Sequence, residues 1–235
     1  YYEDNLKLEL RTVSKEFKGF RHSLNVLFNR SVADYFYTRQ RANNYYYDIE
    51  LESSNTLRIN IALSKEKWNS KLNLSYENYS NYIYYDSLVL PSPYAEDIQV
   101  IKIQAQKSFH FFRNIHSVNK LLYQFISDDE IIPLPNWIGY HSLYYENKLF
   151  KNSLKVQIGF DYSWTNSFQG YAYDPAMAQY HFRNNNELLS GINQLDLFLN
   201  LKIAKSARLF FKYENILFPS YDPGSLRVEN YPIPG

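Results

Sequence analysis

Apolar and polar residues alternate with a period of two along most of this chain, in stretches of about ten residues, the length of a membrane-crossing β-strand. In residues 154–164, Leu154, Val156, Ile158, Phe160, Tyr162 and Trp164 fall on one face and Lys155, Gln157, Gly159, Asp161 and Ser163 on the other. A helix of 3.6 residues per turn would scatter these side chains around its circumference, so the segment reads as a strand. Leu195, Leu197, Leu199, Leu201 and Ile203 repeat the pattern against Asp196, Phe198, Asn200 and Lys202. Ala207, Leu209, Phe211 and Tyr213 follow against Arg208, Phe210, Lys212 and Glu214, so residues 204–206 read as a hairpin turn. Upstream, alternation recurs around Leu6–Arg11, Tyr45–Glu52, Leu57–Leu63, Lys71–Glu77 and Ile101–Gln106. It predicts about twelve antiparallel strands, near 5–13, 19–29, 44–53, 56–64, 69–78, 82–90, 98–108, 115–126, 138–147, 153–165, 193–203 and 206–217.

Successive antiparallel strands turn alternately at two rims, which sorts the connections. One rim carries the short segments 14–18, 54–55, 79–81, 109–114, 148–152 and 204–205. The other carries 30–43, 91–97, 127–137, 166–192 and 218–235, with 65–68 as a short exception. The prolines, among them Pro91, Pro133, Pro175 and Pro219, all fall in the long connections. Short turns at one rim and long loops at the other characterise outer-membrane barrels. The predicted fold is therefore all-β, a transmembrane antiparallel β-barrel segment over 1–235. A soluble β-sandwich, which also alternates and keeps one face of each sheet wet, is the alternative. Long strands and aromatics near their ends, such as Tyr45-Tyr46-Tyr47 and Tyr144-Tyr145, weigh against it.

Mean hydropathy is −0.48 and no apolar run approaches the ~18–20 residues of a transmembrane helix. That excludes helical spans and leaves a barrel open, because half of each barrel strand is polar. Twenty-five basic against 24 acidic residues give a net charge of +1, which offers no electrostatic basis for binding nucleic acid. Absence of cysteine removes disulfides and thiolate chemistry.

Catalytic and cofactor motifs are missing. The histidines His22, His110, His116, His141 and His181 form no HExxH pair, and seven glycines make no GxGxxG, Walker or GxSxG element. No cofactor, metal or enzymatic activity is expected. His141-Ser142, and His181 near Asn184–Asn186, are the only catalytic candidates, and each reads more simply as rim polarity. Asp128-Asp129-Glu130 reads as a solvated loop tip. The aromatics of 162–182 would either stack on sugars or pack the barrel mouth, and packing is favoured.

If the apolar faces meet lipid, Lys7, Glu9, Arg11, Glu50, Arg58, Lys102, Lys155, Asp161, Asp196, Lys202, Arg208, Lys212 and Glu214 point into a lumen. Their mixed signs argue against strong ion selection and for pairing across the wall. Tyr45, Tyr47, Tyr144, Tyr162, Trp164, Tyr171 and Tyr173 are the candidates for an aromatic girdle or mouth.

The C-terminal third adds a resemblance. Ile132-Pro133-Leu134-Pro135, Ser142-Leu143-Tyr144-Tyr145-Glu146, Leu149-Phe150, Gly159-Phe160-Asp161, Ala172-Tyr173-Asp174-Pro175, Leu195-Asp196-Leu197-Phe198, the stretch Ala207–Asn215 and Tyr231-Pro232-Ile233-Pro234-Gly235 together resemble the putative-porin family of Bacteroidota outer membranes. The Tyr-Pro-x-Pro-Gly ending also resembles a loop of TonB-dependent receptors. The resemblance covers 130–235 in detail and the earlier hairpins by pattern. It implies a larger barrel in the outer membrane of a Gram-negative bacterium, with flanking strands beyond this segment. A start at Tyr1-Tyr2-Glu3 without a leader-like stretch agrees with that expectation. The implied function is passive passage of small hydrophilic solutes; the alternative is a non-conducting scaffold or subunit. The implied partners are outer-membrane lipid and other outer-membrane proteins.

Overall fold

The period-two stretches pair with one another into a single antiparallel sheet. The computed structural model describes residues 5–41, 45–183, 188–204 and 207–217. In chain order the strands are β1 (Leu6–Val13), β2 (Arg21–Ser31), β3 (Arg39–Arg41), β4 (Tyr46–Asp48), β5 (Ser54–Lys65), β6 (Ser70–Ser80), β7 (Ile83–Tyr85) and β8 (Pro91–Pro93). They continue as β9 (Ile98–Phe111), β10 (Ile115–Ile126), β11 (Trp137–Leu149), β12 (Leu154–Thr165), β13 (Ala172–Asp174), β14 (Gln179–His181), β15 (Asn193–Ile203) and β16 (Ala207–Tyr213). Ten of them form a meander in the order β1-β2-β5-β6-β9-β10-β11-β12-β15-β16, each long strand beside the next long strand in sequence. The other six form the hairpins β3-β4, β7-β8 and β13-β14, within the long connections.

Two predicted strands, 44–53 and 82–90, do not cross with the sheet. Tyr46–Asp48 pairs with Arg39–Arg41, and the Ile49 amide donates to the Thr38 carbonyl at 2.8 Å, so this alternation is used inside the loop. In 82–90 the Asp86 carboxylate accepts from the Leu88 and Leu90 amides at 2.9 and 3.0 Å and bends the chain. Such local side-chain bonds compete with a ladder, and Pro91 and Pro93 then limit β8. Removing the two strands also resolves the exception at 65–68. The short connections 14–20, 66–69, 112–114, 150–153 and 204–206 now share one rim, and 32–53, 81–97, 127–136 and 166–192 share the other.

Register fixes which residues share a face, because directly opposed side chains point the same way. Leu24, Ile61, Leu74, Ile103, Tyr123 and Trp137 form one such row across six strands. Val26, Ile59, Tyr76, Ile101 and Phe125 form the next. These rows are not covered: Ile61 is 40% exposed, Ile103 43% and Phe125 49%. A continuous apolar face of this extent is costly in water and is the natural lipid-facing surface of a barrel wall. A sandwich needs a second sheet over it, and among the described residues the remaining sheets are two-stranded loop hairpins. The sandwich alternative is thereby set aside.

Candidate functional site

The opposite face is polar, and it collects the predicted charges. Pairing puts Lys7, Glu9 and Arg11 level with Asn29, Leu27 and Asn25, and these with Thr56, Arg58 and Asn60. The same face continues through Glu77, Lys102 and Gln124, then Tyr140, Ser142 and Tyr144, and on to Lys155, Asp161, Asp196, Lys202, Arg208 and Lys212. Every strand-borne charge in the predicted set lies on this one face. Glu214 directly follows β16 and is ion-paired to Lys212 at 2.9 Å. Glu50 lies in the loop after β4, outside the register of the sheet.

The charges pair across strands, and two acids complete the pairs. Glu77, with its side chain 7% exposed, lies 3.2 Å from Arg58 and 3.1 Å from Lys102, and it also accepts from the Tyr79 hydroxyl. Glu146 holds Lys155 at 2.7 Å and accepts from Gln157. Both acids were outside the predicted set, although the alternation of Leu72, Leu74 and Tyr76 already puts Glu77 on the polar face. Asp161 and Asp196 stand directly opposite each other, a repulsive arrangement by itself. It is relieved by Lys212 at 2.9 Å from Asp196, by the Tyr140 hydroxyl on Asp161 at 3.0 Å, and by Gln194 and the Asn215 amide on Asp196.

Aromatic rings interleave with these charges. Tyr144 lies over Gly159, where an added Cβ would come within 2.5 Å of the Tyr144 Cβ and 2.3 Å of the Leu143 carbonyl. It also stacks on His116 at 4.9 Å, and His116 meets His110 edge-on at 4.7 Å. Of the predicted girdle, Tyr144 is thus on the polar face, while Tyr162 and Trp164 are on the apolar one. Trp164 there covers Gly139, and Tyr123 packs on Trp137 at 4.7 Å. The turn rim carries an aromatic cluster of its own. Phe20 and Trp68 meet at 5.8 Å beneath Lys65, and Phe109 stacks on Phe111 at 5.8 Å. Its sequence signal is the position of these rings beside short turns.

The long loops fold onto the polar face instead of standing away from it. Ile98, Val100 and Ile126, all on that face, are buried under Ile131 and packed by Tyr82, Tyr84 and Tyr94 of the loops. A second apolar cluster joins three loops through Tyr47, Tyr85, Val89 and Met177. Tyr45 donates to Asp174 at 2.9 Å, the Phe182 amide donates to the Tyr85 carbonyl at 2.8 Å, and Tyr171 donates to the Ile131 carbonyl at 3.0 Å. Tyr173 packs against Tyr180 at 5.2 Å. Within 162–182, Tyr171 and Tyr173 thus make contacts inside the loops, whereas Tyr162 and Trp164 lie on the apolar face of the sheet. Burial raises the Tyr37, Tyr82 and Tyr171 hydroxyls above their ordinary range. The Asp128 carboxylate, accepting from Tyr94, pushes that hydroxyl up to about 12. Asp128 also accepts from the Glu130 and Ile131 amides, so it anchors its loop and is not a free tip.

The catalytic candidates are not brought together. His141 faces the apolar side beside Asn119, and Ser142 faces the polar side. His181 contacts the Phe182 carbonyl, and Asn184–Asn186 lie outside the described residues, as does Tyr231–Gly235. Among the described residues, no group of three or more acidic or histidine side chains could hold a metal ion.

Comparison with known proteins settles the family. The sequence profile described as Putative porin matches residues 2–235. The chain belongs to this porin family. The match extends to the N-terminal hairpins the likeness that residues 130–235 carry in detail. No curated protein matches the sequence. Among solved structures the fold is similar to the ferric enterobactin receptor of Pseudomonas aeruginosa. One mutant of it has a TM-score of 0.61 at 11% identity, over 90% of this chain and 34% of that chain. Another, in complex with enterobactin, has a TM-score of 0.62 at 12% identity, over 89% and 35%. The chain thus spans about a third of those receptors' length, and at these identities the likeness is one of fold. This porin-family chain is an outer-membrane protein with an all-β, antiparallel fold.

Proposed function

We propose that this porin-family wall gives small hydrophilic solutes passive passage through the outer membrane of a Bacteroidota bacterium. The observation that carries the reading is the segregation of the sheet's two faces. All ten long strands contribute charged or amide side chains to one face, and the uninterrupted aliphatic and aromatic rows lie on the other, so lipid on the apolar side leaves a water-compatible lining. Cross-strand ion pairs such as Arg58–Glu77–Lys102 keep that lining polar while limiting repulsion. The Bacteroidota assignment rests on the motif resemblance of residues 130–235.

The loop cap favours a second reading. With Tyr82, Tyr84, Tyr94 and Ile131 packed on the lining, the barrel would be closed at its loop end and serve as a non-conducting subunit of an outer-membrane assembly. Single-channel recording of the full-length protein in a planar bilayer separates the two. Stable ohmic steps are the expected result. Verified insertion without conductance would reject passive passage and leave the capped subunit.

A further inference from the structure

The polar face is not uniform along β11, β12, β15 and β16. Nearest the turns, Lys148 opposes Lys155, Lys155 opposes Lys202, and Lys202 opposes Arg208, so four cations stand in one cross-strand row. The next row is Glu146, Gln157, Asn200 and Phe210, and beyond it come Tyr144, Gly159, Phe198 and Lys212. Within the basic row only Lys155 has a carboxylate partner among the described residues, Glu146 at 2.7 Å. Directly opposed side chains lie ~5 Å apart at Cβ, and like charges at that spacing repel. The Asp161–Asp196 pair higher on the same strands is met by Lys212, Tyr140 and Gln194; among the described residues the basic row has no such set of counter-groups. A cavity of ≈ 250 Å³ opens on it, lined by Lys155, Gln157, Asn200, Leu201, Lys202, Arg208 and Phe210.

We propose that this row is an anion-binding strip at the turn end of the inner wall, taking small solutes that carry phosphate or carboxylate groups. Lys202 and Arg208 supply charge, Arg208 adds a planar fork suited to two oxygens, and the Gln157 and Asn200 amides hydrogen-bond the rest of the solute. One sign lining one level of a pore wall is also the arrangement that favours anions over cations. Signs that are mixed over the wall as a whole are separated into levels by the register. The proposal rests on the polar face being the wetted one.

The test is calorimetric titration of the full-length protein in uncharged detergent micelles with pyrophosphate, which reads binding whether or not the barrel conducts. Saturable binding that weakens with added salt is expected, and Lys202→Gln with Arg208→Gln should lower affinity at least tenfold. Lys202→Arg should retain it, as should Lys71→Gln, which removes a cation at the same end of the wall on β6. Binding that is absent, or unchanged in the double variant, overturns the proposal. So does a double variant that loses only retention of anionic phospholipid, which would assign the row to headgroups and not to solutes. Heat-modified migration of each variant on a gel verifies that it is folded.

Discussion

The two ends of the polar wall are built from the same residue types and treated differently. At the loop end, Glu77 sits between Arg58 and Lys102, Asp196 is held by Lys212, Gln194 and the Asn215 amide, and apolar loop residues close over Val100 and Ile126. At the turn end, Lys148, Lys155, Lys202 and Arg208 share one row, and Glu146 of the next row pairs with Lys155. The contrast teaches that charge on a wall face has two uses. Where a counter-charge lies within hydrogen-bond reach and water is excluded, the group holds strands together. Where like charges are left facing open space, folding gains nothing from them, and their value lies in what they attract.

The comparison presupposes that both ends belong to the wetted face, and the sharpest way to break it is a charge on the other one. Ile103 is in the middle of β9, level with Leu74 and Tyr123 on the apolar side. Ile103→Lys should destabilise the inserted barrel by ~2–4 kcal/mol, the cost of a cation near the bilayer midplane. Gln104→Lys, one residue along and on the polar side, should change little. Denaturant unfolding from lipid vesicles measures both, and equal costs would mean that the faces are wrongly assigned.

Next in size is the loop-end network. Glu77→Ala leaves Arg58 and Lys102 facing each other across an empty place and removes the acceptor of the Tyr79 hydroxyl. A loss of about 1–3 kcal/mol is expected, the range for leaving a buried polar group unsatisfied. Because the two cations remain partly exposed, the loss should stay below that of a fully buried pair. The same unfolding measurement reads it, and a loss near zero would erase the distinction between the two ends.

How much of this was legible depends on whether a feature is local. Faces are local: the two-residue period of Leu154–Trp164 or Leu195–Ile203 assigns each side chain without knowledge of its neighbours, and the charges predicted on those strands accordingly share one face. Strand membership is less so. Tyr45–Glu52 alternates as well as any crossing strand, but its partners are Arg39–Arg41, and Asp86 turns the chain by bonding two amides close to it in sequence. Levels on the wall are legible only across short turns. Lys148 with Lys155, and Lys202 with Arg208, flank their turns symmetrically, a signal present in the sequence. That these two pairs line up with each other depends on β12 meeting β15 after the long connection 166–192, which no local pattern specifies. The loop cap is likewise non-local, since Tyr45 reaches Asp174 and Tyr85 reaches Phe182.

A smaller effect sharpens the account of the loop end. Burial alone would raise the Asp174 pKa, but the Met177 amide and the Tyr45 hydroxyl, donating to it at 2.8 and 2.9 Å, hold it below its ordinary value. A carboxylate whose pKa is lower in the folded state contributes stability above its unfolded pKa of ~3.9 and loses it as pH falls through the folded value. The cap should therefore be insensitive to pH near neutrality and loosen in acid below about 4. Hydrogen exchange at residues 172–181 is the readout. Asp174→Asn should raise exchange there by about 1 kcal/mol of opening free energy and flatten its acid dependence; an unchanged acid profile would assign the loosening to another group.

The smallest predicted effect decides most about the turn end, because its sign is what matters. Lys202 lies between Lys155 and Arg208 in its row and has no carboxylate partner among the described residues. If the row served the fold, removing this charge would cost stability, as is expected for Glu77→Ala. Opposed like charges instead destabilise a sheet by roughly 0.2–1 kcal/mol per pair, so Lys202→Gln should leave the barrel unchanged or slightly more stable. Added salt should shrink that gain, because the repulsion it relieves is screened within a Debye length. Unfolding of Lys202→Gln and the unsubstituted protein at low and high ionic strength supplies both numbers. A clear loss of stability at low salt would mean that a counter-charge holds Lys202 in the folded barrel, and the two ends of the wall would then be alike.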